Sequence, residues 1–297
     1  MKVLSAGLLV MVAPTLSATS LGETYASHGR LIVAPFASAP FPHPARAAGH
    51  TYENILYTAA EHYSDSTVAL FIPNGFRETG RVDFVIHFHG WNNTVAGTLA
   101  GFSLVEQLVA SGRNAVLVVP EGPRDAPDSF GGKLEDPDGF KRFMDEVMAT
   151  LRQRAGFKSH DFTLGHIILS GHSGGYQVIA NILDHGGLDQ HIGEVWLFDA
   201  LYGQTDRFTA WVARSRGRLI NIYTDHGGTK EESEALMARL AKRGSPFLAV
   251  EEAKLTSGAL KTNRLVFIHT DLTHNDVVAK RSEFTLFLQT SQLAGRE

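Results

Sequence analysis

The sequence predicts an α/β protein with a mostly parallel central sheet and helices on both faces, and three observations predict it. From Arg30 onward, short β-branched runs alternate with longer stretches of helical period, the pattern of strands joined by crossover helices. Several of the runs, among them VLVV, HIIL and LVFI, are continuously apolar, as strands covered on both faces must be. At 297 residues, 43% hydrophobic and 20% charged, the chain is long enough to bury one large core.

The elements follow in order. The first twenty residues, MKVLSAGLLVMVAPTLSATS, set one cation, Lys2, before an apolar stretch from Val3 to Val12 and small residues from Thr15 to Ser20. That is the layout of a secretory signal, and the apolar stretch is shorter than the ~20 residues a membrane helix needs. The expected organisation is a signal peptide over 1–20 and a single catalytic domain over 21–297, secreted or periplasmic, with no integral membrane segment in the mature chain. Strands are expected near 31–35, 67–72, 83–88, 115–120, 166–169, 194–198, 218–223 and 264–269. Between the first two, the Pro- and Ala-rich stretch 37–48 reads as a loop leading to a short helix around 52–62. A helical stripe runs over 99–110. The stretch EGPRDAPDSFGGKLEDPD, 121–138, is too rich in Gly, Pro and Asp for core; it is expected on the surface at the carboxyl edge of the sheet, where open α/β folds build their sites. Over 139–155, Phe140, Phe143, Met144, Val147, Met148 and Leu151 share one stripe, which predicts an amphipathic helix packed on the sheet. Further stripes cover 177–183, 231–240 and 284–288.

Composition removes several function classes. A formal charge of -4 with no run of Lys and Arg offers no field for a phosphate backbone, so nucleic acid is not an expected partner. The absence of cysteine removes thiolate nucleophiles, cysteine metal sites and disulfides. A metal reading could start from His87 and His89 in HFHG, but no H-x-x-x-H pair or further ligand completes a set, and neither metal nor cofactor is expected.

The sharpest motif is HIILSGHSGGYQVIANIL, where a buried-strand run meets Gly171, His172, Ser173, Gly174 and Gly175 and then a helical pattern. This is G-x-S-x-G between strand and helix. A sharp turn there strains the backbone of Ser173 and leaves no room for side chains two positions away, so the serine projects alone as a candidate nucleophile. A serine hydroxyl needs a base. Of 14 histidines, His274 in LVFIHTDLTHNDVV lies in the loop beyond an apolar run and before the last helical stripe; His269, at the run's end, reads as a packed structural residue. The base in turn needs a carboxylate. Asp225 in RLINIYTDHGG is preferred, because Gly227 and Gly228 would let its loop reach His274; Asp199 in EVWLFDALYG, one strand earlier, is the alternative, and its other reading is a turn cap. Attack on a carbonyl also needs backbone donors for the oxyanion. Gly174, after the nucleophile, supplies one, and the Trp91 amide after His89 and Gly90 the other, with Asn92 and Asn93 nearby.

The order strand, His89-Gly90, GHSGG, strand-end aspartate and late histidine resembles the α/β-hydrolase superfamily, especially its secreted esterase-like members, from about Thr67 to the C-terminus. The resemblance implies Ser173 as nucleophile, His274 as base, Asp225 as acid, and the amides of Gly174 and Trp91 as oxyanion hole. The chain departs from that pattern where 36–66 separates the first two strands, and where few residues lie between Asp199 and the next helix, leaving no place for a large cap domain. An open site suits a small or a bulky, polymer-attached ester. A peptidase or amidase, an acyltransferase with the same triad, and a non-catalytic binding protein of the same fold are the alternatives. Arg124, Phe130, Lys133 and Tyr202 are candidates to line the site.

Overall fold

A computed structural model describes residues 18–296. Most of the expected signal peptide, residues 1–17, lies outside the described residues, and its last three residues open helix α1 (Ala18–Thr24). The strands are β1 (Gly29–Pro35), β2 (His50–Tyr52), β3 (Ile55–Tyr57), β4 (Thr67–Pro73), β5 (Arg81–Phe88), β6 (Val116–Pro120), β7 (Thr163–His172), β8 (Ile192–Phe198), β9 (Arg218–Thr224), β10 (Leu248–Glu251) and β11 (Leu265–Thr270). The remaining helices are α2 (Ala59–His62), α3 (Val95–Gly101), α4 (Leu104–Ser111), α5 (Gly139–Arg154), α6 (Tyr176–His185), α7 (Thr205–Arg214), α8 (Lys230–Lys242), α9 (Ser257–Thr262) and α10 (Glu283–Thr290).

Nine strands form one sheet in the order β1-β4-β6-β5-β7-β8-β9-β11-β10. β4 runs antiparallel to both its neighbours, and every pair from β6 to β10 is parallel. The strands alternate between two apolar layers, as side chains on a pleated strand must. Phe84, Ile86 and Leu169 face the layer built with Phe140 of α5, Ile179 of α6 and Trp211 of α7, while Val85 and Ile168 face the layer built with Leu99 of α3, Leu108 of α4 and Phe287 of α10. All six residues of the stripe expected on α5 are buried.

Sequence and structure differ at four places. The helix expected around 52–62 is a hairpin, β2 with β3, followed by the short α2: Glu53 and Asn54 both take left-handed backbone (φ 48° and 65°), the geometry of a two-residue hairpin turn. The stripe over 99–110 is two helices, broken at Phe102 and at Ser103, whose φ is 48°. The edge strand β10 and the six-residue helix α9 are too short to carry a readable period, whereas α7, the helix expected after Asp199, buries a stripe of Phe208, Trp211 and Val212. The 121–138 loop is not wholly superficial, because its carboxylates find partners inside: Asp128 is buried against Arg46 (Oδ2 to Nε 2.6 Å), and Glu121 accepts from the Val95 amide at the start of α3 (3.1 Å).

Candidate active site

Three neighbouring strands deliver the site. At the carboxyl end of β7, Ser173 sits in left-handed backbone (φ 53°), a conformation a residue with a Cβ holds only when its surroundings impose it. The surroundings are tight: a methyl group on Gly171 would stand 3.2 Å from the Gly175 carbonyl carbon and 2.7 Å from Ile179, and one on Gly175 would stand 2.7 Å from the Phe88 carbonyl oxygen. Beyond β5, Gly90 lies so close to the elbow that a Cβ there would meet the Ser173 Cβ at 2.5 Å. Beyond β8 stands Asp199, fully buried and also left-handed (φ 44°).

The Asp199 carboxylate is held from several sides. Oδ2 is 2.6 Å from Nδ1 of His274, Oδ1 accepts from the Thr224 amide (3.1 Å), Oδ2 from the Thr224 hydroxyl (3.0 Å), and the Thr229 hydroxyl donates to Oδ1. Burial pushes the carboxyl up, but the bonds from His274 and Thr229 outweigh it and hold Asp199 below the usual carboxylate range. Asp225, the residue expected behind His274, is elsewhere. Its exposed carboxylate pairs with Lys230 (2.7 Å) and lies 3.2 Å from Nε2 of His269. The correction has a physical cause. Gly227 does not serve to swing the Asp225 loop inward; it leaves space for Asp199, since a Cβ there would lie 1.9 Å from Oδ2.

Ser173, Gly174 and His274 open into one cleft of about 570 Å³, lined also by Trp91, Asn92, Asn93, Phe102, Ser129, His172, Tyr176, Tyr202 and Asn275. The Tyr202 hydroxyl stands 3.5 Å from Nδ1 of His274; burial and the nearby Asp199 charge push it up to about 12, so it stays neutral. Gly174 lies under the Trp91 indole, whose Nε1 donates to Ser129 Oγ (2.8 Å). The Asn92 amide is taken by the Ala126 carbonyl (3.0 Å), whereas the Trp91 amide has no acceptor among the described residues.

Of the four lining candidates only Tyr202 reaches the cleft. Arg124 pairs with Asp65 (2.9 Å), Lys133 donates to the Ala37 carbonyl (2.8 Å), and Phe130 packs beneath Arg46, whose guanidinium carbon is 4.6 Å from the ring centre. Their loop turns these side chains toward 36–66 and presents Ser129 instead. Phe102, Tyr176 and Asn275 were missed; Tyr176 and Asn275, three residues after Ser173 and one after His274, could have been found from adjacency alone. His87 and His89 do not converge on one point. His87 Nδ1 meets Ser170 Oγ (2.9 Å), and His89 Nδ1 donates to the Gly90 carbonyl (2.7 Å) while its Nε2 accepts from the Gly122 amide (2.9 Å).

His172 carries a consequence for stability. It is pushed down to about 4 by burial and then by the neighbouring His274, whereas in the unfolded chain a histidine titrates near 6.5. Between those values the unfolded chain binds the extra proton, so the stability is complete above about pH 6.5 and is lost as pH falls toward 4, by roughly 3 kcal/mol. Urea unfolding of wild type and His172→Gln at several pH values between 7 and 4 is expected to show this extra loss in the wild type alone.

No protein-family model matches the sequence, and no curated protein matches it. Solved structures do. A fluorophosphonate-binding serine hydrolase of Staphylococcus aureus aligns with a TM-score of 0.53 at 9% identity, over 89% of this chain and 100% of that one. The feruloyl esterase module of Clostridium thermocellum complexed with sinapinate aligns at 0.52 and 12% identity, over 89% and 88%. A ferulic acid esterase aligns at 0.53 and 11%, over 88% and 99%.

Proposed function

The chain has the α/β-hydrolase fold, with no large cap domain among the described residues, and on that premise we propose that it is a serine hydrolase that cleaves a carboxylic ester through an acyl-enzyme on Ser173. The observation that carries this reading is the pair of the buried Asp199 with His274, 2.6 Å apart, opening on the cleft that holds Ser173. In this reading Ser173 Oγ attacks the ester carbonyl as His274 takes its proton through Nε2. Asp199 keeps the Nδ1–H tautomer and stabilises the imidazolium. The amides of Gly174 and Trp91 receive the oxyanion. The imidazolium then protonates the leaving alcohol, and a water molecule, deprotonated by His274, releases the acid from Ser173.

The cleft also supports a substrate class. Apart from the histidines, its lining side chains are uncharged: aromatic rings, three asparagines and two serines. At its lip stands Trp91, 41% exposed, which meets the ring of Tyr52 on the β2–β3 hairpin (centres 5.2 Å apart); the same hairpin carries the other exposed large hydrophobics of the described residues, Ile55 and Leu56 (57% and 56%). Apolar surface beside an open cleft suits a bulky or polymer-attached neutral ester. The signal-like order of residues 1–20 fits export to such a substrate; no helix among the described residues is long and apolar enough to cross a membrane.

A panel of p-nitrophenyl esters, a feruloyl ester and peptide anilides tests the reading, with products analysed with and without an added alcohol. The expected result is ester turnover to free acid and no anilide cleavage. Anilide cleavage identifies a peptidase or amidase, ester formation with the added alcohol a transferase, and binding without turnover of any substrate contradicts the catalytic reading.

A further inference from the structure

We propose that His172 is a positioning residue for the base: from the elbow itself it holds the backbone of His274 where the nucleophile needs it. The proposal rests on the reading of Ser173 and His274 as nucleophile and base. Its starting point is a distance the chain has to bridge. β11, which leads to His274, is three steps along the sheet from β7, which ends in His172, and at about 4.8 Å per step that is roughly 14 Å. The loop between β11 and α10 must therefore bring His274 back across the ends of β9 and β8. Around His274 the loop is held locally by the Thr273 hydroxyl, which donates to Asp276 (2.8 Å), and at its margins, where the Thr270 hydroxyl donates to Glu252 (2.5 Å), Arg281 donates to Asp271 (2.8 Å) and Gln107 of α4 donates to the Val278 carbonyl (3.0 Å).

At His274 two bonds meet. Asp199 fixes the imidazole through Nδ1, and Nε2 of His172 lies 2.8 Å from the His274 carbonyl oxygen. A carbonyl only accepts, so Nε2 of His172 carries the proton and donates. The His172 ring, 4% exposed, is trapped between two others: its centre is 4.6 Å from that of His274 at 37° and 4.7 Å from that of Phe102 at 62°. A side chain so confined, one residue from Ser173, transmits the position of the elbow to the base. Asp199 holds the imidazole at Nδ1 and sets its tautomer; the bond from His172 holds the backbone from which that imidazole projects. Misplacement of a reacting group by about 1 Å can cost on the order of 10²-fold in rate.

His172→Phe keeps a flat ring of similar size and removes only the donor, whereas in His172→Gln the amide nitrogen can take the place of Nε2. For His172→Phe, kcat is expected to fall roughly 10- to 100-fold with KM unchanged, and the rate of serine labelling by a fluorophosphonate by a similar factor, because both steps need the same base. His172→Gln is expected to recover most of the loss. The low-field proton NMR signal of the His274 Nδ1–H should persist in the Gln variant and broaden or vanish in the Phe variant, which a role in stability alone would not produce. If His172→Phe does not fold, His172→Asn replaces it, since its amide is too short to reach the carbonyl. A donor-less variant that keeps kcat within about twofold of wild type overturns the proposal, as does a Gln variant as impaired as Phe. If instead Ser173→Ala keeps its activity, it is the reading of the nucleophile that has failed.

Discussion

Ser173→Ala is expected to lower kcat by roughly 10³-fold or more on any ester that the protein hydrolyses, with its melting temperature nearly unchanged. The two halves of the expectation have separate causes. Alanine keeps the Cβ and with it the left-handed backbone (φ 53°) that the packing of Gly171 and Gly175 imposes, so the elbow loses an oxygen and little else. What is lost is the only protein atom in the proposed mechanism that becomes bonded to the acyl group. The remaining rate comes from binding and the oxyanion donors, which supply a residual advantage over water but no covalent route. Circular dichroism and a thermal melt beside the kinetics separate loss of chemistry from loss of fold.

Asp199→Asn is expected to cost on the order of 10²- to 10⁴-fold in kcat, and Asp225→Asn to leave turnover within about twofold. Asp199 is an anion without solvent contact, and its partners are donors: His274 Nδ1, two threonine hydroxyls and the Thr224 amide. An asparagine has one oxygen and one NH₂ in place of two acceptors, so either His274 loses its acceptor and turns to the wrong tautomer, or a buried threonine loses its own. Asp225 is solvated and paired with Lys230 and His269, and exposed pairs of this kind contribute little because water screens them. Loss of turnover in Asp225→Asn with activity retained in Asp199→Asn would return the acid to the end of β9.

How far the sequence foretells this site depends on how local each feature is. The eight strands read from apolar runs are all present, because a strand covered by apolar layers writes its own signature, and the turn that carries Ser173 is equally local: strand, turn and helix are contiguous from Thr163 to His185. The carboxylate that meets His274 is not local. Asp199 and Asp225 both follow a strand and both precede His274, and what separates them is lateral. β8 is the immediate neighbour of β7 whereas β9 is one strand further out, and the space against Asp199 is made by a glycine, Gly227, from the next strand's loop. No pattern along one chain records that lateral fit. The lining was illegible for the same reason: Ser129 enters the cleft while Phe130 turns away beneath Arg46, a choice set by the ion pair of Arg46 with Asp128 across 82 residues of sequence.

The central claim is that one serine, Ser173, carries the acyl group. Treating the wild-type protein with a biotinylated fluorophosphonate, measuring the intact mass and then mapping the modified peptide by tandem mass spectrometry tests it most directly. The result expected is a single adduct on Ser173, formed in step with the loss of esterase activity; an adduct at another residue, or full inactivation with Ser173 unmodified, would contradict it.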